Sequence, residues 1–271
     1  MTCLQYPYSS QVAELFASYD HSLPIVYSVL EGQRAGRIFV DEPSSPRFAV
    51  LCTAVGFFYV AGDPAAPDLL NMLDSLLFHS FALEHGLPEM VAFAPSEAWN
   101  AVLRQVFDRH HGIVGARHVF RWPAGKRLPS SEDEAVAATG TRILIEPSMQ
   151  EPGTLHSYPL AQLYVDDVPV CSCSAFMLGR GQAEIDIHTE AGHEGRGYAT
   201  RTAAALLRHL LENGITPCWT SWPYREASRH VARKLGFEPM PDLPAFIWTV
   251  VDCGPIGKEE MDEDVQELRG E

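Results

Sequence analysis

The stretch Glu184-Ile-Asp-Ile-His-Thr189 sets three groups able to move a proton at alternate positions: Glu184, Asp186 and His188. In an extended strand alternate side chains share one face, so all three would meet the same substrate. Carboxylates and imidazoles are the usual acceptors of a proton from an attacking nucleophile, and of these side-chain types the imidazole has the ordinary pKa nearest to neutrality, which favours His188. The solvent-facing edge of a half-buried strand has the same pattern. The segment therefore offers three candidates for a general base and does not choose among them.

Directly after it comes Glu190-Ala-Gly-His-Glu-Gly-Arg-Gly-Tyr-Ala-Thr200. Glycines here let the backbone approach a ligand with its N–H groups outward. A helix starting at Tyr198 would add the partial positive charge of its unpaired amides, which suits a pyrophosphate. Arg196 and Arg201 are positioned to add charge-assisted bonds. The loop lacks the Gly-Lys-Ser/Thr of a Walker A motif and the glycine spacing of the dinucleotide fingerprint.

The elements that must hold this loop are legible as two runs of alternating strands and helices. In the second half, Glu184–Thr189 alternates polar and apolar as a half-buried strand does. A helix is predicted over Tyr198–Glu212, stopped by Asn213-Gly214. A strand over Pro217–Trp222, a helix over Glu226–Leu235 ended by Gly236, and a strand over Ala245–Val251 follow. Upstream, Gln162–Asp166 and Val168–Phe176 flank Asp166-Asp167 and read as a hairpin. In the first half, Gly56–Ala61, Glu89–Ala94 and Arg117–Trp122 read as strands. Pro67–His85 and a segment capped by Ser96, carrying Trp99, Leu103 and Phe107 and ended by Gly112, read as helices. His110-His111 fall at that helix end, where they would complement its dipole. Corresponding elements lie about 125–130 residues apart, a repeat by pattern rather than by identity.

The expected organisation is a domain over 1–128, a polar acidic linker over 129–140, a second domain over 141–253 and an acidic tail over 254–271. With 271 residues, 46% hydrophobic and 20% charged, the chain can bury a core without staples. A net charge of −15 opposes nonspecific nucleic-acid binding, which needs clustered Lys and Arg. The six cysteines are scattered, and the Cys171-Ser-Cys173 pair is not a zinc spacing, so no metal site is expected. Those two thiols are expected to be small buried residues. No apolar run reaches transmembrane length and no secretory segment is read, so the expectation is no membrane and a cytoplasmic setting. No pattern specifies an oligomer.

The segment Glu194-Gly195-Arg196-Gly197-Tyr198-Ala199 resembles the Gln/Arg-x-x-Gly-x-Gly/Ala signature of the GCN5-related N-acetyltransferase (GNAT) superfamily. With Glu184–Thr200, Val170-Cys-Ser-Cys-Ser174 and Arg233-Lys-Leu-Gly-Phe237, it is similar to the branch that includes the zwittermicin A resistance acetyltransferase. The resemblance is specific over about residues 160–240 and weaker in the first half, where Gly56-Phe-Phe-Tyr-Val-Ala-Gly-Asp63 is followed by no glycine-rich loop. It implies an α/β (α+β) tandem GNAT-like fold, with a mixed central sheet flanked by helices and the N-terminal half a degenerate copy.

The resemblance also implies a site. Acetyl-CoA or another acyl-CoA would lay its pantetheine arm between splayed strands Glu184–Thr189 and Pro217–Trp222. Backbone groups of Ile187, His188 and Thr189 would pair with the arm. Amides of Gly195, Arg196, Gly197, Tyr198, Ala199 and Thr200 would hold the pyrophosphate. The amine of a small molecule would attack the thioester, with Glu184, Asp186 or His188 as base. Tyr224 and Ser228 lie near the expected thiol exit, with loop packing and helix capping as their competing roles.

Three departures stand out. Glu194 replaces Gln or Arg, and a carboxylate there repels a pyrophosphate unless it turns away or pairs with Arg196. Arg225 stands where the loop before the last helix usually brings Asn. Ala232 replaces the Tyr that often protonates the leaving thiolate. The first two motivate a variant in which an acyl carrier protein's phosphopantetheine is the donor. The third, with the absence of a glycine-rich loop in the first half, motivates a non-catalytic acyl-CoA sensor.

Overall fold

The computed structural model describes residues 1–53, 56–128, 140–148 and 156–250. Nearly all of the expected linker 129–140 and the acidic tail 254–271 lie outside the described residues. The fold is mixed α/β, with strands of both senses flanked by helices. It divides into two compact units, which are interleaved in the chain.

Unit 1 takes residues 1–20, 36–116 and 243 onward. Its strands are β1 (Thr2–Leu4), β2 (Gly36–Val40), β3 (Phe48–Thr53), β4 (Phe57–Gly62) and β5 (Glu89–Phe93). They run antiparallel until β4 and β5, which are parallel. The helices of this unit are α1 (Ser10–Leu15), α3 (Leu69–Asp74), a π-helical stretch Ser75–Phe81 leading into α4 (Ala82–His85), and α5 (Glu97–Asp108). Ser96 caps α5 through its hydroxyl, as its type predicts. Trp99, Leu103 and Phe107 then fall on the buried face. Gly112 is not the helix terminator. The helix ends at Asp108, and the left-handed residue is His111.

Unit 2 takes residues 21–35 and 117–242. β6 (Ile113–Arg121) enters it, followed by β7 (Thr141–Pro147), β8 (Pro159–Val165), β9 (Val168–Gly179), β10 (Gln182–Thr189), β11 (Thr216–Ser221) and the short β12 (Glu238–Pro239). Asp166 and Asp167 both have positive φ, the type I′ geometry that matches strand twist in a two-residue hairpin. Its helices are α2 (Leu23–Leu30), α6 (Tyr198–Glu212) and α7 (Glu226–Leu235). α6 buries Tyr198, Thr202, Ala203, Leu206, Leu207 and Leu210 over β8–β11. A fully buried leucine contributes about 1.5–3 kcal/mol, so these three leucines anchor the helix whose N-terminus forms the loop. Cys171 and Cys173 are buried free thiols.

The division differs from the expected 1–128 and 141–253. Residues 21–35, with α2, belong to unit 2 and pack on β9 and β10. The last strand, β13 (Leu243–Thr249), belongs to unit 1, antiparallel to β5. The strand that borders β11 is instead β6, from the middle of the chain. Each half thus places beside its parallel pair a strand supplied by the other half. Period and propensity report that a strand forms, not which neighbour it pairs with.

Candidate active site

β10 pairs with β11 only over Gln182↔Thr216, Ala183↔Pro217 and Glu184↔Cys218. Beyond Glu184 that ladder stops, although β10 runs on to Thr189 and β11 to Ser221. A register shift against β9 falls at the same point, between Glu184 and Asp186. Such irregularities bend a strand and end pairing. The β11-side backbone of Ile187, His188 and Thr189 is left outside the ladder.

Ala183, Ile185 and Ile187 pack in the cluster beneath α6, so Glu184, Asp186 and His188 take the opposite face. Their surroundings differ. Glu184 is 2% exposed, and its Oε1 accepts from the Thr220 hydroxyl at 2.6 Å. The Thr220 oxygen in turn accepts from Nε and Nη2 of Arg117 at 3.2 and 2.8 Å. The Arg117 guanidinium lies 4.5 Å from the centre of the Trp222 ring. Burial pushes the Glu184 carboxyl above its usual range. The bonds from Thr220 and the charge of Arg117 pull it back only in part, and Asp186 adds to the rise. Glu184 Oε2 is buried with no hydrogen-bond partner. Asp186 is half-buried, and His188 is more open, with Nε2 3.5 Å from Glu190.

The loop at 190–197 has positive φ at Gly192, Gly195 and Gly197, and a Cβ on any of the three would meet nothing within 4 Å. Space beside the backbone is therefore open. Gly197 is the N-cap of α6, and no side chain caps the helix. The amides of its first turn are the donors that an unligated helix start leaves unpaired. Glu194 is folded back, its Oε2 accepting from Gly192 N–H at 2.7 Å, and Arg196 Nη2 donates to Gly192 O at 3.0 Å. Glu194 thus turns its carboxylate onto the loop's own backbone and does not pair with Arg196. Arg201 leaves the loop and donates to Thr141 on β7 at 3.1 Å.

Downstream, Ser228 is not a helix cap. Arg225 holds that position, and Ser228 Oγ accepts from the Trp219 indole N–H at 3.0 Å. Trp219 is 1% exposed. Ser228→Ala would strand a buried donor, and unfolding in denaturant is expected to show a loss of about 1–3 kcal/mol. Tyr224 is half-buried in the turn after β11, with the Arg225 guanidinium 5.8 Å from its ring centre. Ala232 is fully buried.

In unit 1 the corresponding parallel pair, β4 and β5, runs to Tyr59↔Phe93, where β5 ends. There Tyr19, 3% exposed, sets its hydroxyl 2.7 Å from Val60 O and 3.2 Å from Phe93 O. The end of this pair is filled by the protein's own side chain. The turn after β4 offers carboxylates, Asp63 and the α3 N-cap Asp68, where β10 is followed by glycines.

Sequence reasoning missed Arg117, Thr220 and α2. Thr220 sat in plain view, alternating with the buried Trp219 and Ser221 on β11. Arg117 carried no signal, because it reaches Glu184 through a pairing between distant strands.

The fold and its relatives define an acyltransferase. The chain belongs to the GNAT acetyltransferase family, whose model matches residues 13–121 and 162–246. This family transfers an acyl group from acetyl-CoA or another acyl-CoA to an amine. YdfB, an uncharacterized N-acetyltransferase of Bacillus subtilis, is 24% identical over 241 residues, covering 82% of this chain and 88% of that protein. A GCN5-related N-acetyltransferase-like protein from Streptococcus suis shares the fold with a TM-score of 0.64 at 21% identity, over 88% of this chain and 96% of that one. So does a tandem GNAT protein from the clavulanic acid biosynthesis pathway, with a TM-score of 0.54 at 12% identity, over 86% and 89%. No described helix is long and apolar enough to cross a membrane.

Proposed function

We propose that unit 2 moves an acetyl or similar acyl group from free coenzyme A to the amine of a small metabolite, with Glu184 as general base. The carrying observation is the coincidence of three features at one end of β10. The parallel ladder opens after Glu184, the glycine loop leaves open space before an uncapped helix, and a buried carboxylate keeps an unspent oxygen.

In this reading the donor arm pairs with Ile187, His188 and Thr189. Its pyrophosphate rests on the amides of Gly195–Thr200, with Arg196 and Arg225 as nearby cations. The amine nitrogen attacks the thioester carbon and its proton passes to Glu184. The C–S bond breaks, and the thiolate takes a proton from Tyr224. Arg117 and Thr220 position Glu184 and keep its pKa from rising further. Donor binding is confined to unit 2, because Tyr19 fills the equivalent opening in unit 1. Resemblance to the zwittermicin A resistance branch supports a small-metabolite amine, in resistance or secondary metabolism, over a protein acceptor.

Free coenzyme A is favoured over a carrier-bound arm because Glu194 is already spent on the loop. Glu194→Gln keeps an oxygen for Gly192 N–H and removes the charge. The donor KM is expected to fall about twofold to fivefold at low salt, and less at high salt. Turnover only with acyl carrier protein, measured against free acetyl-CoA by thiol release over a panel of amines, would overturn the donor assignment.

A further inference from the structure

Unit 1 holds a second cluster of chemistry-bearing side chains. Over Ser75–Phe81 the helix that begins at Leu69 changes from α to π winding. In α geometry, residues five apart lie about 140° round the axis, so Asp74 and His79 would diverge. The i→i+5 pattern of a π segment brings them to one face, and such segments occur frequently at functional sites. His79 Nε2 lies 3.2 Å from Asp74 Oδ2. From the turn after α5, His110 brings its Nε2 to 2.8 Å from Asp74 Oδ1. The expectation that His110 serves the α5 dipole is thereby corrected. Its ring stacks on Phe78, with centroids 3.8 Å apart and planes 9° apart, which fixes its direction.

Both oxygens of one carboxylate thus face an imidazole Nε2, and the three ligand atoms lie within 4.8 Å of one another. Two imidazoles and a carboxylate form an N,N,O donor set for a divalent first-row transition ion, zinc above all. The His79 side chain is 63% exposed, which gives an ion an entry path and leaves room for water as a further ligand. Arg109 is the competing cation, with Nη1 3.9 Å from Asp74 Oδ1. Its side chain is 44% exposed and can swing into solvent when an ion binds.

We propose that Asp74, His79 and His110 form a zinc-class metal site that ties the π-helical stretch to the turn after α5. The assignment departs from the sequence reading, which expected no metal site. The three residues are spread over 74–110 in no recognisable spacing and meet only through the π winding and the packing of α5.

The test uses the tag-free full chain, stripped with chelator and titrated with zinc chloride by calorimetry. Expected are one saturable site per chain at micromolar zinc, a higher Tm with zinc, and losses of affinity of about tenfold or more in His79→Ala, His110→Ala and Asp74→Asn. Cobalt in place of zinc should give visible d–d bands without thiolate charge transfer, which separates this site from the exposed Cys3. If His110→Ala fails to fold, the exposed His79→Ala carries the test alone. No saturable uptake, or uptake that His79→Ala leaves unchanged, overturns the proposal.

Discussion

Glu184→Gln is expected to lower kcat about 10²- to 10⁴-fold, the range general-base catalysis supplies, while the donor KM stays near its original value. In the proposed reading the donor's contacts run through backbone groups beyond Glu184, so removing the carboxylate would touch the proton and not the binding of coenzyme A. The pH profile carries the decision. A base must be deprotonated to work, and burial holds Glu184 above the usual carboxylate range. The acid limb of kcat/KM should therefore sit above that range in the unmodified enzyme and vanish in Glu184→Gln.

Thr220→Val removes a hydrogen bond that lowers this pKa, so its acid limb should move to higher pH with the donor KM unchanged. Tyr224→Phe should remove the alkaline limb. An acid limb that persists unchanged in Glu184→Gln would transfer the role to Asp186 or His188.

Glu184→Gln should also raise stability at pH values above the folded pKa of the carboxyl. A carboxyl whose folded pKa lies above its unfolded value favours the fold while protonated. Its contribution is full below the unfolded pKa and is lost as pH rises through the folded one. Above the folded pKa the protein carries a buried charge that Gln does not, and there the melting temperature of Glu184→Gln should exceed that of the unmodified chain. The gap should close towards acid pH. In the proposed role of Glu184, a group kept for chemistry at the expense of stability fits the usual conflict between the two.

Gly197→Glu is the second large effect. The donor KM should rise about a hundredfold or more, since the lost charge-assisted bonds contribute about 1.5–3 kcal/mol each and each 1.4 kcal/mol is tenfold. Gly197 has φ of 76°, so any side chain there also strains the backbone by about 1–2 kcal/mol. Gly214→Ala separates the two effects. Gly214 has φ of 73° and open space beside it, but lies at the far end of α6. It should lose similar stability and leave the donor KM unchanged. Equal KM effects in both variants would mean that the glycine loop acts only through folding.

The Asp166-Asp167 hairpin, the Ser96 cap, the α6 and α7 helices and the glycine loop were all legible because each depends on residues close in sequence. A type I′ turn needs residues that tolerate positive φ, a cap needs one hydroxyl, and an amphipathic helix needs its period. The candidate base strand was legible for the same reason, down to the face shared by Glu184, Asp186 and His188.

Residues near one another in the chain specify the local grammar: where strands and helices form, where positive-φ turns fall, and which three side chains share one face of β10. Tertiary structure alone decided the rest. It buried Glu184 while leaving His188 half-buried, and it brought Arg117 to Thr220 from 103 positions away. It exchanged β6 and β13 between the halves and set Tyr19 across the end of β4 and β5. The physical reason is common to all of these. Strand pairing, desolvation and hydrogen bonding between distant residues depend on which surfaces meet, and no periodicity along the chain encodes that choice.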